Sequence, residues 1–223
     1  MTSGYRGRVR AHRVGWVLLL AAAAAGCARS SPLLRPAAVA APAPEVFRVR
    51  FETSRGPFVV EARRSWSPAG ADRLYYLVRS RFYDGARFFR VVPRFMAQFG
   101  VSSDPAVSRV WRERFIRDDQ VLQSNLRGTL TFATSGPHTR TTQLFINYAD
   151  NRFLDRQGFS PVGRVVEGME VVDSLFAGYG EAPPRGRGPD QSRILAEGNE
   201  YLKRDFPMLD YIREARIVKV PRE

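Results

Sequence analysis

Two segments of the chain, residues 88–100 and 143–147, place polar side chains among apolar ones. Successive side chains of a β-strand point to opposite faces, so these segments, taken as strands, have two different faces. One face carries a cation, two amides, a thioether and an aromatic ring: Arg90, Met96, Gln98, Gln143 and Phe145. An apolar floor with a few placed polar groups is typical of a ligand groove.

The opposite face of the same strands is predicted to be plain core, formed by Phe89, Val91, Ala97, Phe99, Leu144 and Ile146. The first face also has a simpler interpretation. Arg90 alone would be a surface arginine on a strand, and the apolar residues Phe95, Met96 and Phe145 alone would be core. The face that these residues share with Gln98 and Gln143 favours the groove.

Three blocks of sequence, in this order, resemble the cyclophilins, the peptidyl-prolyl cis-trans isomerases. The blocks are residues 88–98, then 132–137 with 142–146, and then 153–155 with 159–169. The resemblance covers roughly residues 46–223. Phe89 stands where the family pattern has histidine.

The resemblance implies a role for each residue of the groove. Arg90 would be the catalytic residue, Gln98 would hold a substrate carbonyl, and the backbone of Thr134 would pair with the peptide. The proline pocket would be formed by Phe95, Met96, Phe145 and Leu154, with Phe159 at its edge and Phe153 beside it. The adjoining groove would be lined by Ala133, Ser135 and Gln143.

The chemistry implied is rotation about the amide bond that precedes proline. That bond isomerises over tens to hundreds of seconds unaided, because its nitrogen lone pair is conjugated with the carbonyl. A donor aimed at the nitrogen favours the twisted state, in which the lone pair is free to accept a hydrogen bond. Such a reaction needs no nucleophile, so we expect neither a cofactor nor a metal.

Several residues depart from the family pattern or suggest other chemistry. Phe153 stands where cyclosporin-sensitive members have tryptophan, so weak cyclosporin binding is expected. Phe159 replaces a pocket histidine and would make the pocket drier. Asp118 and Asp119 could bind a metal, but a solvated loop pair is the favoured interpretation, and His138 is interpreted as a loop residue.

The remaining sequence predicts a mainly β fold. Residues 46–53 alternate as a strand with one buried face, and residues 67–82 carry one apolar helical stripe. Residues 101–127 are polar and predict a long surface loop. Many short strands with few helices predict a closed, eight-stranded antiparallel barrel of the cyclophilin kind, capped by two or more helices. Residues 178–208, called the extension below, exceed what the simplest family members need.

The N-terminal region predicts export and a lipid anchor. Four arginines precede an apolar run of about twelve residues, which suits a signal peptide and is short for a membrane span. Ala24-Ala25-Gly26-Cys27 follows and resembles a bacterial lipobox, so residues 1–26 are predicted to be a lipoprotein signal peptide and Cys27 to be acylated. The alternative is an ordinary secretory signal with a chance cysteine. Residues 27–45, rich in alanine and proline, predict a tether that holds the domain of residues 46–223 away from a membrane.

The formal net charge of +13 raises the possibility of nucleic-acid binding. The arginines are spread along the chain, however, and export argues against it. The first functional hypothesis is a monomeric, lipid-anchored prolyl isomerase that assists the folding of exported, proline-containing polypeptides, at the periplasmic face of the outer membrane if the host is Gram-negative. The second is a peptide-binding or chaperone module that uses the same groove with little turnover.

Overall fold

The computed structural model describes residues 1–2, 4, 31–36 and 41–220. Cys27 and nearly all of the predicted signal peptide lie outside the described residues. Within that part of the chain the strands are β1 (Val46–Thr53), β2 (Gly56–Arg63), β3 (Arg90–Val92), β4 (Met96–Phe99), β5 (Thr129–Phe132), β6 (Leu144–Asn147), β7 (Pro161–Glu167) and β8 (Ile212–Val218). The helices there are α1 (Pro68–Arg79), α2 (Pro105–Trp111), α3 (Met169–Asp173), α4 (Gln191–Glu197), α5 (Asn199–Asp205) and a 3₁₀ helix at Arg152–Gln157.

β1 and β2 form the hairpin at the centre of the core. Every second residue of β1 is buried, as its alternating sequence predicts. Phe51 of β1 faces Phe58 of β2 in register, and their rings stack with centroids 4.8 Å apart. Gly56 closes the turn with a φ of 125°, a backbone conformation that favours glycine. The strand predicted at residues 46–53 is confirmed.

The eight strands form one antiparallel sheet in the order β3-β4-β6-β5-β7-β2-β1-β8. The sheet is open and curls into a half-barrel, so the prediction of a closed barrel is wrong. Its edges, β3 and β8, do not pair, because β3 has only three residues and the chain before it is not a regular strand. Residues 85–88 meet residues 210–212 through backbone hydrogen bonds of 2.8–2.9 Å instead. The mainly β architecture with eight antiparallel strands and several helices is confirmed.

α1 packs on the sheet through its predicted apolar stripe, and a distant aspartate caps it. Ser67 makes no side-chain cap of its own, and its Oγ donates to Asp119 Oδ2 at 2.5 Å. Asp119 also accepts from the backbone amides of Ala69 and Gly70, which begin the helix. The carboxylate therefore satisfies amides that the first turn leaves free.

The segment predicted as a long surface loop contains α2, so that prediction is wrong for residues 105–111. Asp104 caps α2 by accepting from the amide of Ala106 at 2.8 Å, and Pro105 occupies the first turn. Trp111 is buried at the end of the helix. Seven residues are too few to show a helical period, which is why the sequence pattern gave no signal.

The extension folds into a loop followed by α4 and α5, which meet at Gly198. Three of its residues, Ile194, Tyr201 and Leu202, form a small apolar cluster with Phe89, Val101 and Leu209, which lie outside it. Phe89 was predicted to share the main core with Val91, and this is wrong. β3 begins only at Arg90, so the alternation does not reach Phe89, and its ring packs against the extension.

Asp210 joins the far end of the extension to the sheet. Its carboxylate accepts from the backbone amide of Phe176 at 2.7 Å, just before the extension begins. The same carboxylate accepts from Ser54 Oγ at 2.7 Å and from Arg55 Nε at 2.9 Å, in the β1–β2 turn. The residues that flank the extension on its two sides, Phe176 and Asp210, are therefore joined to each other.

Part of the predicted tether packs on the domain. Leu33 is buried, and its carbonyl accepts from Trp111 Nε1 at 2.9 Å. The amide of Ala43, also buried, donates to Asp72 Oδ1 at 2.8 Å. The described part of this Ala/Pro-rich segment therefore touches the domain at these two points. Among the described residues, no helix combines the length and hydropathy that crossing a bilayer requires.

Candidate active site

Strand pairing places the polar residues of the groove side by side. Arg90 of β3 faces Gln98 of β4, and Gln98 faces Phe145 of β6. Arg90 Nη1 donates to Gln98 Oε1 at 2.9 Å, and Gln98 Nε2 donates to Gln143 Oε1 at 2.9 Å. The amide of Gln98, which is only 5% exposed, is therefore fixed at both ends. These contacts orient the guanidinium at the rim of a cavity.

The cavity has a volume of about 240 Å³ and an apolar floor. The floor is a separate cluster of buried residues, Met96, Phe145 and Leu154, with Phe95 and Phe159 packed beside it. The ring of Phe159 meets that of Phe145 edge-on at 5.7 Å, and the guanidinium carbon of Arg90 lies 5.7 Å from the centre of the Phe95 ring. The cavity suits a small apolar group that carries an acceptor near the rim.

The structure brings together every predicted groove residue except Phe153. The predicted residues that line the cavity are Arg90, Phe95, Met96, Gln98, Ala133, Thr134, Ser135, Gln143, Phe145, Leu154 and Phe159. Phe153 is 54% exposed and stacks against Phe95 with ring centroids 6.1 Å apart, outside the cavity lining. It supports Phe95 from the solvent side.

Three further residues line the cavity without having been predicted: Thr139, Thr141 and Gln191. Thr139 Oγ1 accepts from the amide of Ser135 at 2.9 Å, so it shapes the wall from within the same loop. Gln191 is the first residue of α4 and comes from the extension. The sequence around Gln191 gives no sign that it belongs to the groove, because only the folded extension brings it there.

A buried arginine supports the loop that forms the other wall. Arg140 is 1% exposed and pairs with Asp118 at 3.2 Å and with Asp119 at 3.0 Å. Burial raises the pKa of Asp119, but hydrogen bonds from Ser67 and from two backbone amides outweigh it and hold the pKa below its ordinary value. Asp119 is thus a largely shielded structural anion, its side chain only 11% exposed, and the prediction of a solvated aspartate pair is wrong for it. His138, 65% exposed, accepts at Nδ1 from the amide of Asp118, within the loop where it was expected.

Arg90 has a second partner that the sequence did not reveal. Its Nε donates to Glu181 Oε2 at 2.8 Å and its Nη2 donates to Glu181 Oε1 at 2.6 Å, a two-bond pair. The hydrogen bond from Arg90 lowers the pKa of Glu181, despite its partial burial. Glu181 lies 91 residues further along the chain, in the extension. Nothing in the local sequence around it indicates an active-site contact.

Comparison with known proteins finds a family model that covers most of this chain. The model of the family described as cyclophilin type peptidyl-prolyl cis-trans isomerase/CLD matches residues 48–191. The match includes the groove and Glu181 and stops at the first residue of α4.

Two curated relatives and one solved structure illustrate the likeness. Over 175 residues the chain is 33% identical to peptidyl-prolyl cis-trans isomerase B of Escherichia coli, covering 75% of this chain and 96% of that one. Over 132 residues it is 34% identical to a peptidyl-prolyl cis-trans isomerase of Acinetobacter baylyi, covering 57% and 70%. A Cryptosporidium parvum cyclophilin type peptidyl-prolyl cis-trans isomerase, solved in the presence of the dipeptide Ala-Pro, superimposes with a TM-score of 0.56 at 20% identity. The superposition covers 78% of this chain and 99% of that one.

Proposed function

This chain belongs to the cyclophilin-type peptidyl-prolyl cis-trans isomerases, and from that membership we propose that the cavity beside Arg90 is where it isomerises X-Pro bonds. The observation that carries the proposal is the guanidinium of Arg90, held by Gln98 at the rim of an apolar cavity. The substrates are proline-containing polypeptides. The Ala-Pro dipeptide present with the C. parvum protein supports this substrate class.

The reaction proceeds without covalent chemistry. The proline ring occupies the apolar floor, and Arg90 donates a hydrogen bond toward the prolyl nitrogen as the amide twists. The nitrogen accepts well only when conjugation with the carbonyl is broken, so this bond is stronger in the transition state than in the ground state. Gln98 binds a substrate carbonyl, and the edge at Thr134 pairs with the peptide backbone. Ala133, Ser135 and Gln143 contact the residues that precede proline.

Arg90 alone is insufficient for efficient catalysis. Shortening isomerisation from tens of seconds to milliseconds takes about 10⁴-fold, or roughly 5.5 kcal/mol. A hydrogen bond from a charged donor contributes about 1.5–3 kcal/mol. The cavity must supply the rest by holding the substrate in a twisted geometry. Phe145, Met96 and Leu154 perform that part, because they form a rigid, buried floor.

Isomerisation of a short proline-containing peptide by the full chain tests this proposal. Arg90→Ala should lower kcat/KM by about 10- to 150-fold, the range that follows from one charged hydrogen bond. Arg213→Ala is the matched control, since Arg213 is an exposed arginine on β8, the opposite edge of the sheet. Equal rates for the wild type and Arg90→Ala would favour the second hypothesis, a groove that binds peptides without catalysis.

We further propose that the enzyme is exported and assists the folding of exported proteins while anchored through an acylated Cys27. The basic N-terminal segment, the apolar run and the position of Cys27 support this. Leu33, only six residues later (33 − 27), is held by Trp111, and six residues span at most about 20 Å. The anchor would therefore keep α2 close to the membrane surface.

Cys27→Ser in the full chain tests the anchor. The variant should move from the membrane fraction to the soluble fraction of cells that express it, while its isomerase activity stays unchanged. Retention of the variant on membranes would show that Cys27 is not the attachment point.

A further inference from the structure

The guanidinium of Arg90 is held from two sides. Glu181 accepts hydrogen bonds from its Nε and Nη2, and Gln98 accepts one from its Nη1. Glu181 does not line the cavity, whereas both Arg90 and Gln98 do. The carboxylate therefore lies behind the guanidinium as seen from the proline pocket, and the cavity stays open with the ion pair formed.

The arithmetic of donors shows what the ion pair leaves free. An arginine side chain has five N–H donors in a fixed plane. Glu181 uses two of them and Gln98 uses one. One N–H on each Nη atom remains for a substrate. The pair thus fixes the plane of the guanidinium without exhausting its donors.

Glu181 is itself held by a tight loop. Its carbonyl accepts from the amide of Gly188 at 2.7 Å, and the amide of Arg187 donates to the carbonyl of Tyr179 at 3.2 Å. A Cβ at Gly186 would come within 2.3 Å of the Glu181 carbonyl oxygen, and one at Gly188 within 2.8 Å of the Gly180 oxygen. The Arg-Gly sequence at residues 185–188 therefore serves a close backbone approach.

Aromatic contacts attach this loop to the helices of the extension. The ring of Tyr179 meets those of Phe176 and Phe206 edge-on, each at 5.1 Å. Phe206 in turn contacts Tyr201, which lies in the same cluster as Phe89. Phe89 directly precedes Arg90, so the extension holds the backbone next to Arg90 and the side chain of Arg90 at once.

We propose that Glu181 is a positioning residue for Arg90, through which the extension sets the orientation of the catalytic guanidinium. This rests on the proposed role of Arg90. A flexible arginine would have to be ordered in each transition state, and a fixed one is ordered beforehand. The extension is then part of the catalytic apparatus.

The test compares four variants of the full chain in the peptide isomerisation assay. Glu181→Ala should lower kcat by roughly 5- to 10-fold with KM changed less than 2-fold, because misplacement of a catalytic group affects the transition state more than binding. Glu181→Gln, which keeps one acceptor but cannot form the two-bond pair, should fall between it and the wild type. Glu197→Gln is the matched control, since Glu197 pairs with Arg193 and Arg204 within the extension. Arg90→Ala reports separately on the proposed function.

Nuclear magnetic resonance of the arginine Nε–H groups supplies a readout that a merely structural role would not move. In the wild type and in Glu197→Gln, the Arg90 Nε–H should be ordered and slow to exchange with water. In Glu181→Ala it should become mobile while the unfolding midpoint stays close to that of the control. The proposal is overturned if Arg90→Ala is impaired and Glu181→Ala keeps full kcat, or if Glu181→Ala is faster than the wild type, which would make the ion pair a restraint on catalysis. An unimpaired Arg90→Ala would overturn the proposed function itself.

Discussion

The pocket floor and the extension approach Arg90 from opposite sides, and they are put in place by different means. The floor is positioned by strand pairing, in which Arg90, Gln98 and Phe145 occupy successive places across β3, β4 and β6. The extension is positioned by the packing of a small apolar cluster and by hydrogen bonds within a loop. A regular sheet repeats every two residues, so its side of the site follows from local sequence, whereas the other side depends on contacts between distant residues.

The two sides also differ in how much buried structure supports them. The floor rests on the main core, which includes the fully buried rings of Phe51, Phe58 and Phe99. The cluster that holds the extension has six buried residues, and only three of them, Ile194, Tyr201 and Leu202, belong to the extension itself. Hydrophobic stabilisation scales with buried apolar area, so the extension should open more easily than the sheet. The following variants test this contrast.

The largest effect on stability is expected at Asp119, which belongs to the part of the molecule built around the sheet. Asp119→Asn removes the charge that caps α1 and pairs with the buried Arg140, and we expect a loss of about 3 kcal/mol in the free energy of unfolding at pH 7. Urea unfolding measures it. Asp104→Asn, which keeps the capping oxygen of α2, is the control and should change stability much less. Equal stability of Asp119→Asn and the wild type would show that the pair is not needed.

The same carboxylate gives a pH dependence with a definite sign. The pKa of Asp119 is lowered in the folded protein, so the folded state binds the proton less readily than the unfolded state does. Its contribution to stability is complete above the ordinary value of 3.8 and is lost as the pH falls through the lowered pKa. Asp119→Asn should therefore lose less stability than the wild type as the pH falls through that window.

The next effect is expected in the pocket floor. Phe145→Ala removes the ring against which proline would pack, at a cost of about 2 kcal/mol, or roughly 30-fold in kcat/KM. Peptide isomerisation measures the loss. Met208→Ala, at an exposed apolar residue of the extension, should leave kcat/KM unchanged. A Phe145→Ala enzyme as active as the wild type would mean that proline binds elsewhere.

A smaller effect is expected where the two sides join. Phe89→His introduces the residue of the family pattern and so places a polar imidazole in a buried, mainly apolar cluster. We expect a loss of about 1–2 kcal/mol, concentrated in the extension. Hydrogen exchange should show faster opening of α4 and α5 with little change in β1 and β2. Uniform acceleration across both regions would remove the distinction between them.

The smallest effect is expected on the surface of the extension. Arg204 pairs with Glu197 and Asp205, and all three side chains are substantially exposed. Exposed pairs contribute little, because solvent screens them and ordering the side chains opposes them. Arg204→Gln should leave both the unfolding midpoint and kcat/KM unchanged within error. A clear loss of stability would show that this network, rather than the apolar cluster, holds the helices.

Much of the sheet and of the floor could be predicted from the sequence, because alternation is a local pattern. β1 appears at its predicted residues, and the predicted groove residues other than Phe153 meet at one cavity. Whether the sheet is open or closed could not be predicted, since this depends on how residues 85–88 meet residues 210–212. Glu181 and Gln191 were missed for the same reason. Each lies in a segment whose position is decided by packing against Phe89 and its neighbours, which no local period reveals.

The hydrogen bond between Phe176 and Asp210 brings the two ends of the extension together, so the extension is an insert with adjacent ends. Because Phe176 and Asp210 are already in contact, a linker of a few residues would be long enough to join the two ends in place of the insert. The excised enzyme would need polar residues in place of Phe89 and Val101, which the insert now shields from water. Conversely, the insert could be transplanted onto a simpler relative that offers the same two attachment points and an apolar residue before its arginine.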